Sequence, residues 1–201
     1  MKKLIYLSVV LVSILTTRSY SQSSFTHLEY APSIPVGNVT DFTGGFQWRG
    51  LGFGAGWFVQ DGLTVGFQTG WNVFRDETDG IVSAVVETDN SNITLTGKQF
   101  RFINAVPILL TSRYYIEGSQ VWPYIGAGVG TYFASRRTEL GLRTFSEDSW
   151  HFGVAPEVGI VVPTYSESSF TLGLQYHQAF AAGDNDGIGY LAIKIGVGWG
   201  L

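Results

Sequence analysis

Residues 191–201 read LAIKIGVGWGL. Every odd position is large and apolar (Leu191, Ile193, Ile195, Val197, Trp199, Leu201), and every even position is small or charged (Ala192, Lys194, Gly196, Gly198, Gly200). Period two is the side-chain period of a β-strand, whereas an amphipathic helix repeats near 3.6. The strand therefore divides two environments, one bulky and greasy, the other narrow and able to hold a charge.

The same rule recurs upstream. Residues 170–180 set Phe170, Leu172, Leu174, Tyr176 and Phe180 against Thr171, Gly173, Gln175, His177 and Ala179. Residues 150–162 set Trp150, Phe152, Val154, Val158, Ile160 and Val162 against His151, Gly153, Ala155, Glu157 and Gly159. Segments 63–74, 47–59, 122–133 and 99–115 follow it, the last with Phe100, Phe102, Val106, Ile108 and Leu110 opposite Arg101, Ala105, Thr111 and Arg113. Residues 25–34 complete the set at eight, with Leu28, Tyr30 and Ile34 against His27, Glu29 and Ser33.

Connections alternate as well. Short turns fall at 60–62, 117–120 and 164–168, and longer polar links at 35–46, 76–98, 137–148 and 182–187. An even strand count with short turns at one end and long loops at the other describes an all-β, eight-stranded antiparallel up-and-down transmembrane β-barrel. A soluble barrel of the lipocalin kind inverts the faces, with a greasy interior and a polar exterior. Here the small polar face suits a narrow lumen and the large aliphatic face suits lipid.

Composition agrees. The 26 glycines in 201 residues and 15% aromatics, with only 14% charged residues, favour strands over helices. Residues 1–21, MKKLIYLSVVLVSILTTRSYS, read as a cleaved signal peptide with a basic start, an apolar stretch and a small-residue exit. Residues 22–201 form the expected barrel domain. Removing the leader takes three cations and no anion, so the net charge moves from −4 to −7. Nucleic acid is not an expected partner of such a surface. Without cysteine the chain has no disulfide framework.

Gly126-Ala-Gly128-Val-Gly130 superficially suggests a phosphate-binding loop. A dinucleotide fingerprint needs G-x-G-x-x-G between a strand and a helix, and here Thr131 occupies the place of the third glycine. These glycines share a face with Tyr124 and Tyr132, so the expectation is a lumenal wall and no cofactor.

The chain resembles the small outer-membrane β-barrel family related to the OmpA transmembrane domain and OmpX. The resemblance lies in the leader, in WRGLGFGAGWFVQDGLTVGFQTGWNVF (48–74), PYIGAGVGTYF (123–133) and FGVAPEVGI (152–160). It implies residence in a bacterial outer membrane, in contact with membrane lipid and lipopolysaccharide. Such proteins commonly end on an aromatic residue, whereas this sequence ends Gly200-Leu201, with Trp199 as the nearest aromatic.

The inward register collects Glu29, Arg101, Arg113, Glu157, His177 and Lys194, a candidate lumen network with a structural or gating role. Glu29 and Lys194 lie on the first and last strands, which become neighbours on closure, and are expected to pair. Glu157 is expected to meet Arg113, His177 or Gln175. The histidines all fall on the lumenal register and no Ser/His spacing stands out, so the chain is read as non-enzymatic, without metal or cofactor. The 183–187 stretch GDNDG lacks the third oxygen ligand and distal Glu of a calcium loop. It reads as a hairpin turn at Asp186-Gly187.

The segment 76–98 carries five acids before its one lysine, around strand-like runs at 81–87 and 92–96. It reads as a projecting hairpin able to meet an extracellular protein or surface partner. Arg136, Arg137 and Arg143 near the third long link are candidates for lipopolysaccharide phosphates. The expected role is structural or adhesin-like surface interaction; the alternative is a narrow or gated small-solute channel.

Overall fold

The computed structural model describes residues 24–88, 91–140, 143–165, 167–183 and 185–200, with backbone alone over 78–97 and at 140. The expected leader lies outside these residues, as does Leu201. Among them the order is β1 (Ser24–Tyr30), β2 (Ser33–Val36), α1 (Asn38–Thr43), β3 (Arg49–Gln60), β4 (Leu63–Thr88), β5 (Ser91–Tyr115), β6 (Trp122–Leu140), β7 (Arg143–Pro163), β8 (Ser168–Ala179) and β9 (Ile188–Trp199).

Strands β3 to β9 pair antiparallel with their sequence neighbours, and β1 pairs with both β3 and β9, closing a ring of eight. β2 continues β1 in the same register against β9: Tyr30 faces Ile195 and Ser33 faces Ala192. The interruption falls at Ala31-Pro32, where proline lacks an N–H for the ladder. Closure leaves no open sheet edge within the ring, the condition for crossing hydrocarbon with strands. No described helix is long and apolar enough to cross a membrane.

The outward face confirms which environment each register meets. Leu51, Leu110, Ile125, Phe170 and Leu172 are 50–61% exposed, in a continuous apolar band that water would not tolerate. Trp48, Trp57, Trp71, Trp150 and Trp199 are also exposed on this side. The alternate residues, including Glu29, Gln68, Glu157, Gln175 and Lys194, are buried. A greasy outside around a polar inside is the inverse of a soluble barrel, and the chain is an eight-stranded transmembrane β-barrel.

Two apolar layers bracket the polar one. At the short-turn end Tyr115, Tyr124 and Val161 cluster with Phe58, and Phe25 packs edge-on to Phe58 with centroids 6.0 Å apart. At the long-loop end Phe74, Ile103, Leu109, Tyr132, Ile188 and Tyr190 pack with Val39 of α1, and Phe42 covers them. Ile103 and Leu109 on β5 and Phe74 on β4 share the inward parity of Arg113 and Asn72, yet as apolar residues they do not stand out from the lipid-facing set.

Three links differ from expectation. Residues 35–46 contain α1, which lays Val39 and Thr43 into the barrel mouth. Residues 137–148 are mostly ladder, since β6 and β7 stay paired to Leu140 and Arg143. The tight turn between β8 and β9 is closed by Ala182 and Asn185, not at Asp186-Gly187. Ala182 and Asn185 exchange N–H···O bonds of 3.0 and 3.1 Å, and Gly183 takes a positive φ of 60°, which a glycine adopts without strain.

Candidate functional site

The charged layer is built on one rung of the sheet. Arg113 of β5 is the register partner of Gly126 of β6, and Gly126 is the partner of Glu157 of β7. A methyl placed on Gly126 would lie 2.9 Å from Arg113 Cγ and 3.0 Å from Glu157 Oε1. The first glycine of the GAGVG run thus lets two long side chains meet across an intervening strand. The Arg113 guanidinium grips Glu157 through Nε to Oε1 and through Nη2 to Oε2 at 3.3 Å, a two-pronged pair.

Lys194 closes the layer from the other side. Its Nζ lies 2.8 Å from Glu157 Oε2 and 3.0 Å from Glu29 Oε2. Glu29 faces Gly196 in register, so Lys194 reaches it diagonally. The two contacts differ in kind. Lys194 donates a directed hydrogen bond to Glu157, whereas Glu29 is paired by proximity alone and neither of its oxygens receives a directed donor among the described residues. Two cations and two carboxylates thus balance, all less than 5% exposed.

Amides and imidazoles fill the remaining valences. Arg113 Nη2 donates to Gln68 Oε1 at 3.3 Å, and Gln68 Nε2 donates to Gln175 Oε1 at 2.8 Å across the lumen. His27 lies 3.4 Å from Arg113 Nη1. His177 stacks on Tyr190 at 4.4 Å and shares a 3.1 Å hydrogen bond with the Tyr132 hydroxyl. A cavity of about 10 Å³ lies beside Glu29, Gln68, His177 and Lys194, room for no more than one water.

Of the six candidate residues, the structure brings Glu29, Arg113, Glu157 and Lys194 into one ion network. His177 lies beside it, bonded to Tyr132. Arg101 stands apart: it sits higher, at the long-loop end, its guanidinium 5.4 Å from the centre of the Phe42 ring. Its parity is inward, but α1 occupies the space between it and the charged layer.

One polar pair escaped sequence reasoning. His151 Nδ1 is 2.8 Å from the Phe180 carbonyl oxygen, which can only accept, so Nδ1 carries the proton. Nε2 therefore accepts from the Ser149 hydroxyl at 2.8 Å. The signal was the Ser-x-His spacing on one strand face. The pair has the serine-to-imidazole geometry of a nucleophile and base, but a carbonyl orients the imidazole where catalytic sets use a carboxylate. Both side chains are buried in the lumen.

Beyond the ring, four strands continue as a projecting sheet. β3 pairs with β4 only as far as Arg49 and Val73, and β8 with β7 only as far as Ala179 and Gly153. The β4–β5 ladder runs on to Thr88 and Ser91, and β5–β6 to Gln99 and Leu140. At ~3.3 Å per residue the fifteen steps from Val73 to Thr88 amount to roughly 50 Å of strand. Gln47 terminates the β3 side: its amide accepts from Arg75 N–H at 3.1 Å and donates to Arg75 O at 3.1 Å, a side chain standing in for a strand residue. Past it β4 has a free edge among the described residues. Arg136 turns inward and donates from Nη2 to Asp186 O at 2.8 Å, so it does not face lipid headgroups; Arg137 pairs with Glu139 at 2.9 Å.

No family model matches the sequence, and no curated protein matches it. Solved structures match the fold. Neisserial surface protein A aligns over 89% of this chain and 97% of its own, with a TM-score of 0.54 at 12% identity. The N-terminal β-barrel domain of Pseudomonas aeruginosa OprF aligns over 89% of this chain and 97% of its own, at 0.49 and 13%. The outer membrane protein OprG from Pseudomonas aeruginosa aligns over 88% and 95%, at 0.47 and 16%. What this chain shares with Neisserial surface protein A is the fold, and it has the architecture of the small eight-stranded outer-membrane β-barrels, the one implied by its resemblance to the OmpA transmembrane domain and OmpX.

Proposed function

We propose that the chain is an exported bacterial outer-membrane protein that acts at the cell surface through its projecting sheet, with the barrel as its anchor. The carrying observation is the β4–β7 extension, a four-stranded sheet whose β4 edge is unpaired beyond Arg75 among the described residues. An exposed edge offers main-chain donors and acceptors to an extended segment of a partner. Acidic residues from Asp76 to Asp89 favour a partner with basic side chains. Placing both chain ends and the short turns in the periplasm sets this sheet outside the cell, among lipopolysaccharide.

In this reading the lumen is structural. The charged layer between two apolar layers fills an eight-stranded interior, and the buried Ser149–His151 pair is part of that filling, with no catalytic part. A deletion of 80–95 tests the proposal. The shortened protein is expected to keep its heat-modifiable migration while cells displaying it lose surface binding; unchanged binding would remove the reading.

The charged layer supports a second reading, a narrow gated path for small solutes. Glu29 lacks a directed donor, so the Lys194 ammonium can exchange between Glu29 and Glu157. Single-channel recording on the purified barrel separates the two, since discrete conductance that changes in Lys194→Met favours the path.

A further inference from the structure

Above the apolar layer at the long-loop end, the inner faces of β6 and β7 and the helix α1 enclose an open cavity of about 450 Å³. It is lined by Phe42, Arg136, Thr138, Phe145, Ser146 and Glu147. Arg136 and Thr138 share the inward parity of the buried Tyr132 and Ala134, and Phe145 and Glu147 share that of Ser149 and His151. The cavity is thus a vestibule over the barrel axis, distinct from the outer edge of β4.

Its chemistry is mixed in a specific way. Arg136 and Glu147 are register partners across β6 and β7, yet no ion pair closes between them among the described residues. Arg136 is held in place by its bond to Asp186 O, and its Nε has no acceptor. A fixed donor and a free carboxylate therefore stand side by side. Two phenyl rings complete the wall, Phe42 steadied by Arg101 and Phe145 half exposed.

We propose that this vestibule binds a saccharide unit presented from outside the cell. A sugar ring offers a C–H face to an aromatic ring and, at its rim, hydroxyls that both donate and accept. An unpaired Arg–Glu couple meets adjacent hydroxyls with opposite polarity, which neither charge satisfies alone. The volume falls within the range of roughly 300–1,000 Å³ typical of small-ligand sites. An acyl chain is a poorer occupant, since it strips water from two charges without replacing their hydrogen bonds.

Saturation-transfer NMR on the full-length protein, folded in the sugar-free detergent dodecylphosphocholine, tests this with maltose, lactose and free phenylalanine as probes. Transfer is expected to at least one disaccharide, with Phe145→Ala and Glu147→Gln each weakening it about tenfold, the equivalent of ~1.4 kcal/mol. Heat-modifiable migration checks that the variants fold, and Glu147→Gln serves if Phe145→Ala does not. Ser83→Pro, at the β4 edge, is expected to leave sugar binding unchanged, which separates this site from the projecting edge. Transfer to neither sugar, transfer to phenylalanine alone, or undiminished transfer in the folded variants would overturn the proposal.

Discussion

Arg113 and Glu157 lie two strands apart on a single rung, joined over Gly126, which contributes no side chain to obstruct them. Their pairing organises the lumen: Lys194 and Gln68 both orient on groups that this pair fixes. A buried pair of this kind is costly to break because the survivor is left charged and dry.

Gly126→Leu forces a branched side chain between Arg113 and Glu157. The expected result is a loss of about 3–5 kcal/mol, the scale of a broken buried ion pair, read as an earlier urea midpoint for the refolded protein in detergent. The change Val129→Leu, which places the same side chain on the lipid-facing side of the same strand, is expected to leave that midpoint in place.

Lys194→Met removes the cation shared by Glu29 and Glu157. Two carboxylates then face one guanidinium, and destabilisation of about 3–5 kcal/mol is expected from urea unfolding. Adding Glu29→Gln restores charge balance, so the double variant is expected to recover a large part of the loss. A double variant no better than the single would show that Glu29 is not coupled to Lys194.

The outward band carries its own prediction. Leu172 and Ile125 are 50% and 61% exposed on the hydrocarbon side. Arginine at either position is expected to cost ~2–4 kcal/mol near the midplane, measured by unfolding in phospholipid vesicles. The same substitution in a soluble barrel would be nearly neutral at positions so exposed.

At the β4 edge, the backbone separates two neighbouring substitutions. Arg75 turns its N–H and C=O away from β5; the β4–β5 register shifts by two residues between Thr78 and Val82, an even step that returns Ser83 to the phase of Arg75 and puts Ala84 in the phase that bonds within the ladder. Ser83→Pro is therefore expected to fold and to lose partner capture, while Ala84→Pro breaks the hairpin. Binding of a fluorescent Lys-rich extended peptide to the two purified proteins, with hydrogen exchange on the hairpin amides, distinguishes the outcomes.

The fold was legible wherever the two faces differ chemically. Segment 191–201 alternates without exception because lipid and lumen demand opposite side chains, and its register predicts the placement of Lys194. Legibility failed where the environments converge. Ile103 and Leu109 share the inward parity of Arg101 and Arg113 but face an apolar inner layer, so their chemistry does not mark them as lumenal. Residues 137–140 and 143–148 project beyond the closed ring, and a strand there is written in polar residues that read as a loop. Arg101 had the right parity and the wrong height, because parity says nothing of what a helix such as α1 will place beneath it. The Arg136–Glu147 vestibule depends on cross-strand register over a segment that looked like a loop, and no local spacing announces it.

The central claim is a closed transmembrane barrel, and heat-modifiable migration tests it most directly. Protein extracted from membranes in detergent and run unheated is predicted to migrate as a compact species, distinct from the boiled chain. Recovery in the aqueous fraction with identical migration before and after boiling would contradict it.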